Sequence, residues 1–151
     1  FPSRDVLYKE ELIVAGRRDH PLTSIAPISA LELIRFPIAT YDGRFLKRQI
    51  YQLLEKTEEF ELLDANLPAA VLQQPWMLAN FAMESDYLIL SSKSAMQPWL
   101  KNGELVIIEV ANLRMEIEIE LVKRNVTNPS PAVARLEEVI HQVIDHQRLN
   151  I

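Results

Sequence analysis

The run Glu11-Leu12-Ile13-Val14-Ala15-Gly16-Arg17-Arg18-Asp19-His20-Pro21-Leu22 constrains this chain more than any other segment. Four apolar residues, two of them β-branched, meet a glycine and then a charged turn closed by His-Pro-Leu. That pattern predicts a buried strand with an abrupt end. A strand buried on both faces needs neighbours on both sides. No helix or strand of any size is predicted before it, so the neighbours must come from later residues or from sequence outside these 151. The expectation is a chain that begins inside a domain.

With 151 residues, 48% of them hydrophobic, the chain can bury one sizeable core or two small lobes. Only 3 glycines argue against a many-turned all-β protein and against a glycine-rich phosphate loop. No apolar run approaches the roughly 18 residues of a membrane span, so no membrane association is expected. With no cysteine, disulfide and thiolate chemistry are excluded. A net charge of -5 makes these residues poor partners for a phosphate backbone.

Strand and helix signals then alternate. Ser29-Ala30-Leu31-Glu32 fits a capping box that opens a short helix ending before Pro37. Pro37 to Tyr41 reads as a short strand, and Asp42-Gly43 starts a helix to about Glu58 with Leu46, Ile50, Leu53 and Leu54 inward. Phe60 to Leu63 and Ala69 to Leu72 are short enough for strands. Pro75 belongs in the first turn of a helix from Gln74 to about Met83. Tyr87 to Leu90 is a buried strand, and Ser94 to Lys101 a helix stopped by Asn102-Gly103. Leu105 to Val110 is a second long apolar strand, and Met115 to Val122 alternates strictly. Ser130-Pro131 caps a helix to about His146 with Val133, Leu136, Val139, Ile140, Val143 and Ile144 as its inner face. The order implies an α/β fold with a largely parallel sheet. Two long apolar strands roughly 80 residues apart suit a chain that leaves one lobe, builds a second, and returns; a ligand would sit in the cleft between lobes.

The run Glu11 to Leu22, the capped Ser29-Ala30-Leu31-Glu32-Leu33 helix, Trp76 to Leu90, and Asn102-Gly103-Glu104-Leu105 together resemble the effector-binding domain of LysR-type transcriptional regulators. The resemblance spans nearly the whole chain. Glu84-Ser85-Asp86 departs from it, standing where the family usually has glycines, as does Ser91, where it often has proline. It implies two Rossmann-like lobes joined by two crossing strands, a periplasmic-binding-protein-like type II fold, with crossings at Leu12–Ala15 and Leu105–Ile108. Residues 12–105 would be the complete second lobe. Residues 1–11 and 106–151 would be the C-terminal part of an incomplete first lobe, with the DNA-binding winged helix-turn-helix absent from this chain. The implied function is a small-molecule effector-binding and dimerisation module of a cytoplasmic regulator, a homodimer or tetramer that meets DNA only through its missing domain. An extracytoplasmic solute-binding protein of the same fold and an enzyme on a related two-lobed fold are the alternatives.

In open α/β sheets ligands bind beyond the carboxyl ends of the strands, at helix N-termini that favour anions. Thr40 and Tyr41 offer hydroxyls there, and Gln73 and Gln74 offer amides that donate and accept. These four are the cleft candidates, loop polarity or capping being the plainer reading of Thr40, Gln73 and Gln74, and a small carboxylate is the candidate effector class. Asp42 would repel a carboxylate and is expected to cap its helix instead. His20, in a solvated turn, and His141 and His146, on the last helix, are too scattered for a zinc set, so no metal and no cofactor are expected. Glu116, Glu118 and Glu120 read as a solvated or interface strand face rather than a cation site. Ser91, Ser92 and Ser94 have no histidine nearby and no nucleophile elbow. No catalytic set is visible. Arg17-Arg18 is a turn balanced by Asp19, and Trp76, Met77 and Phe81 are core or a dimer face.

Overall fold

In a computed structural model, the structure describes residues 2–42, 44–54, 60–125 and 127–149. Chain contacts divide it into two compact units, residues 10–116 and residues 1–9 with 117–151.

The larger unit is built on a sheet of order β3-β2-β4-β1-β5. Strand β1 (Ser3–Arg17) runs through its middle, flanked by β4 (Leu88–Ser92) and β5 (Leu105–Ile107), both antiparallel to it. Strands β2 (Ile38–Thr40) and β3 (Ala70–Val71) lie beyond β4, and β2 is parallel to both of its neighbours. The sheet is therefore mixed, where alternation of elements suggested a largely parallel one. The long strand pairs with β4 and so runs against the shared direction of β2, β3 and β4.

The two apolar passes lie side by side as expected. Ala15 pairs with Ile107, Gly16 with Val106 and Arg17 with Leu105, and Ile108 N–H donates to the Val14 carbonyl at 2.8 Å. β5 is shorter than the predicted Leu105 to Val110. Val110 instead bridges Ile28, which anchors the approach to α1 (Ala30–Leu33).

Both faces of the sheet are covered, as the unbroken apolar runs require. Val14, Ile38, Leu88 and Leu90 point to one core with Leu33 and Ile34, with Leu46 and Ile50 of α2 (Arg44–Leu53), and with Leu63 of α3 (Phe60–Asn66). Ile13, Ala15, Ala39 and Ile89 point to the other, against Leu78, Ala79 and Ala82 of α4 (Pro75–Met83) and Met96 of α5 (Lys93–Lys101). The helix predicted to about Glu58 is helical here to Leu53; Gly43 and residues 55–59 lie outside the described residues.

Local signals held where they were complete. Ser29 Oγ accepts from the Glu32 N–H at 3.1 Å while Glu32 reaches back to the Ser29 N–H at 2.7 Å, closing the capping box. Pro75 starts α4, and Gly103 stops the chain after α5 at φ +71°.

Phe60 to Leu63 is helical, not a strand. Four residues cannot separate a period of 2 from one of 3.6, and the turn is completed by Asp64-Ala65-Asn66, whose Nδ2 donates to the Ile34 carbonyl at 2.7 Å.

The smaller unit contains the first residues of β1, the strand β6 (Met115–Lys123) from Ile117 onward, and α6 (Pro131–Leu149). β1 starts at Ser3, so a strand does precede Glu11; β6 pairs with it, and Arg4 meets Glu120 at 3.1 Å. Exposed Arg4, Val6 and Lys9 make this a half-wet ribbon, which hides its signal. The expected inner face of α6 is also corrected. Val133, Leu136, Val139 and Val143 are exposed, and Ile140 and Ile144 only half-buried. A ribbon of two strands offers too little surface to cover that stripe. Between α6 and the end of β6 runs an apolar groove of about 480 Å³, lined by Val122, Val133, Leu136 and Ile140 among others.

Candidate functional site

Parallel pairing brings the candidate residues to one edge. Thr40 lies level with Val71 on β3 and with Leu90 on β4, and the Leu72 N–H donates to the Thr40 carbonyl at 3.0 Å. The carboxyl ends of three strands therefore share an edge of the larger unit. Thr40-Tyr41, Gln73-Gln74 and Ser91-Ser92 leave those ends toward α2, α4 and α5.

Thr40 is only 2% exposed, on the face that carries Ile38 and Leu90. Among the described residues no hydrogen bond reaches its hydroxyl. Tyr41, Gln73 and Gln74 are exposed. The structure thus brings all four to the same edge but buries only Thr40.

The three helix starts differ in what occupies them. At α2, the Asp42 carboxylate accepts the Arg44 N–H at 3.0 Å and the Arg44 guanidinium at 2.7 Å, so it caps its helix as expected. The hydrogen bonds from the Arg44 side chain, then from its backbone N–H, pull the Asp42 carboxyl down to about 2. At α5, Ser92 Oγ accepts the Ala95 N–H at 3.3 Å, and the buried Glu10 carboxylate accepts the Ser94 N–H at 3.0 Å. Glu11 pairs with Lys93 at 3.2 Å beside it. At α4, the N-cap Gln74 makes no side-chain capping bond. Two helix starts hold carboxylates of the chain itself, and α4 is left open to an outside acceptor. Glu10 was missed in the sequence because its partner lies 84 residues away.

A groove of about 400 Å³ runs beside the two crossing passes, lined by Glu11, Val14, Pro27, Ile108, Asn112 and Arg114 among others. None of the four sequence candidates lines it.

Other expectations are corrected. His20 is not in a solvated turn but buried, at 1% exposure, with its ring edge-on to Phe36. Arg17 is balanced by Asp86 at 2.7 Å rather than by Asp19, and Arg18 donates to the Gly103 carbonyl at 2.7 Å. The hydrogen bond from Arg17 holds the Asp86 carboxyl below its ordinary range. Trp76, Met77 and Phe81 are exposed at 56%, 38% and 37%, so they are not core; the helix buries Leu78, Ala79 and Ala82 instead. Glu116 and Glu118 are exposed. In the smaller unit His141 comes near Asp5 and Glu137, but the Lys123 ammonium already lies 2.6 Å from Glu137 and 3.4 Å from Asp5. A resident cation of the chain fills that cluster.

The family profile described as the LysR substrate binding domain matches residues 3–145. The chain belongs to this family. Its fold is the periplasmic-binding-protein-like type II arrangement of α/β elements that the LysR domain has. Among solved structures it is similar to the regulatory domain of CcmR from Synechocystis PCC6803 in complex with 2-PG, at TM-score 0.69 and 13% identity over 95% of this chain and 67% of that one. It is also similar to the regulatory domain of the LysR family regulator MetR from N. meningitidis (TM-score 0.65, 15% identity, 93% and 64% of the chains). The OxyR2 regulatory domain from Vibrio vulnificus gives TM-score 0.64 and 14% identity over 95% and 65%. The chain therefore spans about two thirds of the length of these LysR relatives. No curated protein matches the sequence. The LysR family consists of effector-binding regulatory domains that form oligomers, and membership favours the regulator over an extracytoplasmic solute-binding protein.

Proposed function

We propose that this chain is the effector-binding and self-association module of a LysR-type transcriptional regulator, with a small molecule bound at the carboxyl edge of β2, β3 and β4. The Thr40 hydroxyl carries this reading. A buried hydroxyl without a partner costs roughly 1–3 kcal/mol, and a strand end is where that cost can be recovered by a ligand. Gln74 and the open start of α4 supply donors nearby, which favours a small carboxylate, because the other two helix starts already hold carboxylates. Asp42 does not repel such a ligand strongly while Arg44 sits on it.

Residues 12–105 serve as the second lobe in this reading. Residues 1–11 and 106–151 are the C-terminal part of the first lobe, and the exposed apolar side of α6 is where the rest of that lobe packs. A second copy of the chain docks on the exposed face of α4, where Phe81 packs edge-on against Tyr87 at 4.6 Å beside Trp76 and Met77. Effector binding shifts the geometry of that assembly, and thereby the DNA-binding domains carried elsewhere in the protein. Such a regulator works in the cytoplasm and catalyses no reaction. Among the described residues no helix is long and apolar enough to cross a membrane.

A thermal-shift screen against small carboxylates tests the site. A ligand at one hundred times its Kd stabilises by about 2.7 kcal/mol. The expected result is protection of the native chain that is lost in Thr40→Val and Gln74→Ala. Protection that survives both substitutions places the effector elsewhere.

A further inference from the structure

The effector reading makes no use of the His20-Pro21-Leu22 motif. Its imidazole lies at the opposite edge of the parallel strands from Thr40, beside Asp86, which precedes β4. The Nδ1 atom accepts the Leu22 backbone N–H at 3.1 Å, so that nitrogen carries no proton. The ring hydrogen therefore sits on Nε2 and is donated to the Asp86 carbonyl at 3.0 Å. Both nitrogens are committed, and a second proton can enter only at Nδ1, facing a donor.

Several segments of the larger unit meet at this ring. Gly16 passes so close that a Cβ there would lie 3.3 Å from His20 Cγ, with Leu88 and Ile108 crowding the same point. Phe36 packs edge-on at 4.6 Å. The short 3₁₀ turn Pro21–Ser24 starts from it, and Thr23 Oγ1 donates to the His20 carbonyl at 2.7 Å. The charged groups acting on the ring are Arg17 of β1 and Asp86, which pair with one another. Of the turn's own charges, Arg18 is held by the Gly103 carbonyl, and Asp19 adjoins His20 in sequence. Phe36 faces it with an apolar ring, and Leu88 and Ile108 add apolar groups around the adjacent Gly16.

We propose that His20 is an acid-sensitive latch: neutral, it locks the Pro21–Ser24 turn onto the Asp86 loop, and uptake of a proton at Nδ1 releases the turn while the sheet stays paired. Burial lowers the ring's pKa from the ordinary 6.5; the Asp86 carbonyl and carboxylate oppose this, and Arg17 adds to it. A released ring takes its proton near 6.5, and the latched ring only at lower pH. The latch is therefore fully closed above 6.5 and weakens as pH falls toward the lowered value, by up to about tenfold per pH unit for one proton.

Hydrogen–deuterium exchange of the full chain at pH 7.5, 6.0 and 5.0, scaled for intrinsic exchange, reads this directly. Peptides covering residues 18–25 are expected to lose protection by up to about tenfold per pH unit below 6.5, while those covering 88–92 keep theirs. Exchange at the His20 ring carbon is expected to titrate below 6.5. In His20→Asn, which keeps an acceptor for the Leu22 N–H and does not titrate, the 18–25 profile is expected to be flat. A ring that titrates at or above 6.5, parallel loss of protection over 88–92, or the same acid loss in His20→Asn each overturns the proposal. Should the variant fail to fold, the two readings on the native chain decide it.

Discussion

Replacing Thr40 by valine should stabilise the ligand-free chain. The side chains have nearly the same volume, and at 2% exposure the Thr40 hydroxyl is largely shielded from bulk water in the ligand-free chain. No cavity forms, and β-branched valine suits a strand at least as well as threonine. What changes is one buried hydroxyl that no described residue bonds. Removing it recovers part of a cost of roughly 1–3 kcal/mol. A gain of about 1 kcal/mol would raise Tm by about 2–4 °C in a chain of this size. A hydroxyl with a partner would give the opposite sign, a loss of about 0.5–1.5 kcal/mol. Urea unfolding followed by far-UV circular dichroism measures the difference, with an unchanged slope confirming that the same surface unfolds. Destabilisation of Thr40→Val by 0.5 kcal/mol or more would refute the reasoning, because it would mean the hydroxyl is already satisfied without a ligand.

Further consequences follow from other contacts. Gly103→Ala should destabilise by about 1–2 kcal/mol, since the backbone sits at φ +71° and the new Cβ would lie 2.8 Å from Arg18 Nη2; a thermal melt reads the loss. Glu10→Ala should cost about 1–2 kcal/mol by stripping the start of α5 of its acceptor, whereas Glu10→Gln, which keeps a carbonyl for the Ser94 N–H, should lose less than half as much in the same urea titration. Introducing charge on α4 by Trp76→Glu or Phe81→Glu should lower the mass measured by light scattering without shifting the melt much, as both side chains are over a third exposed; an unchanged mass would rule out α4 as the self-association face.

How much of this was readable in advance depended on the length of each signal. The capping box at Ser29, the Pro75 start of α4 and the Gly103 stop are decided within four residues, and all three stand in the structure. Thr40, Tyr41, Gln73 and Gln74 could be placed at strand ends for the same reason, and parallel register then set them on one edge. The unbroken apolar run Leu12–Ala15 announced a strand with two covered faces. Phe60–Leu63 is ambiguous because four residues are compatible with either period, and the apolar stripe of α6 does not reveal its exposure because the described strands of its unit form just a two-stranded ribbon.

By itself the sequence determined the helix boundaries at Ser29, Pro75 and Gly103, the strands covered on both faces, and the family. Hydrogen bonds to near neighbours and side-chain volume settle those matters, and both are local. The tertiary structure alone decided that β1 runs against β4, that His20 is buried, that Glu10 holds the start of α5, and that no described residue bonds the Thr40 hydroxyl. Each depends on which segments meet across 60 or more residues in chain order, or on the whole shell around one atom, and burial acts on a group only once that shell has closed.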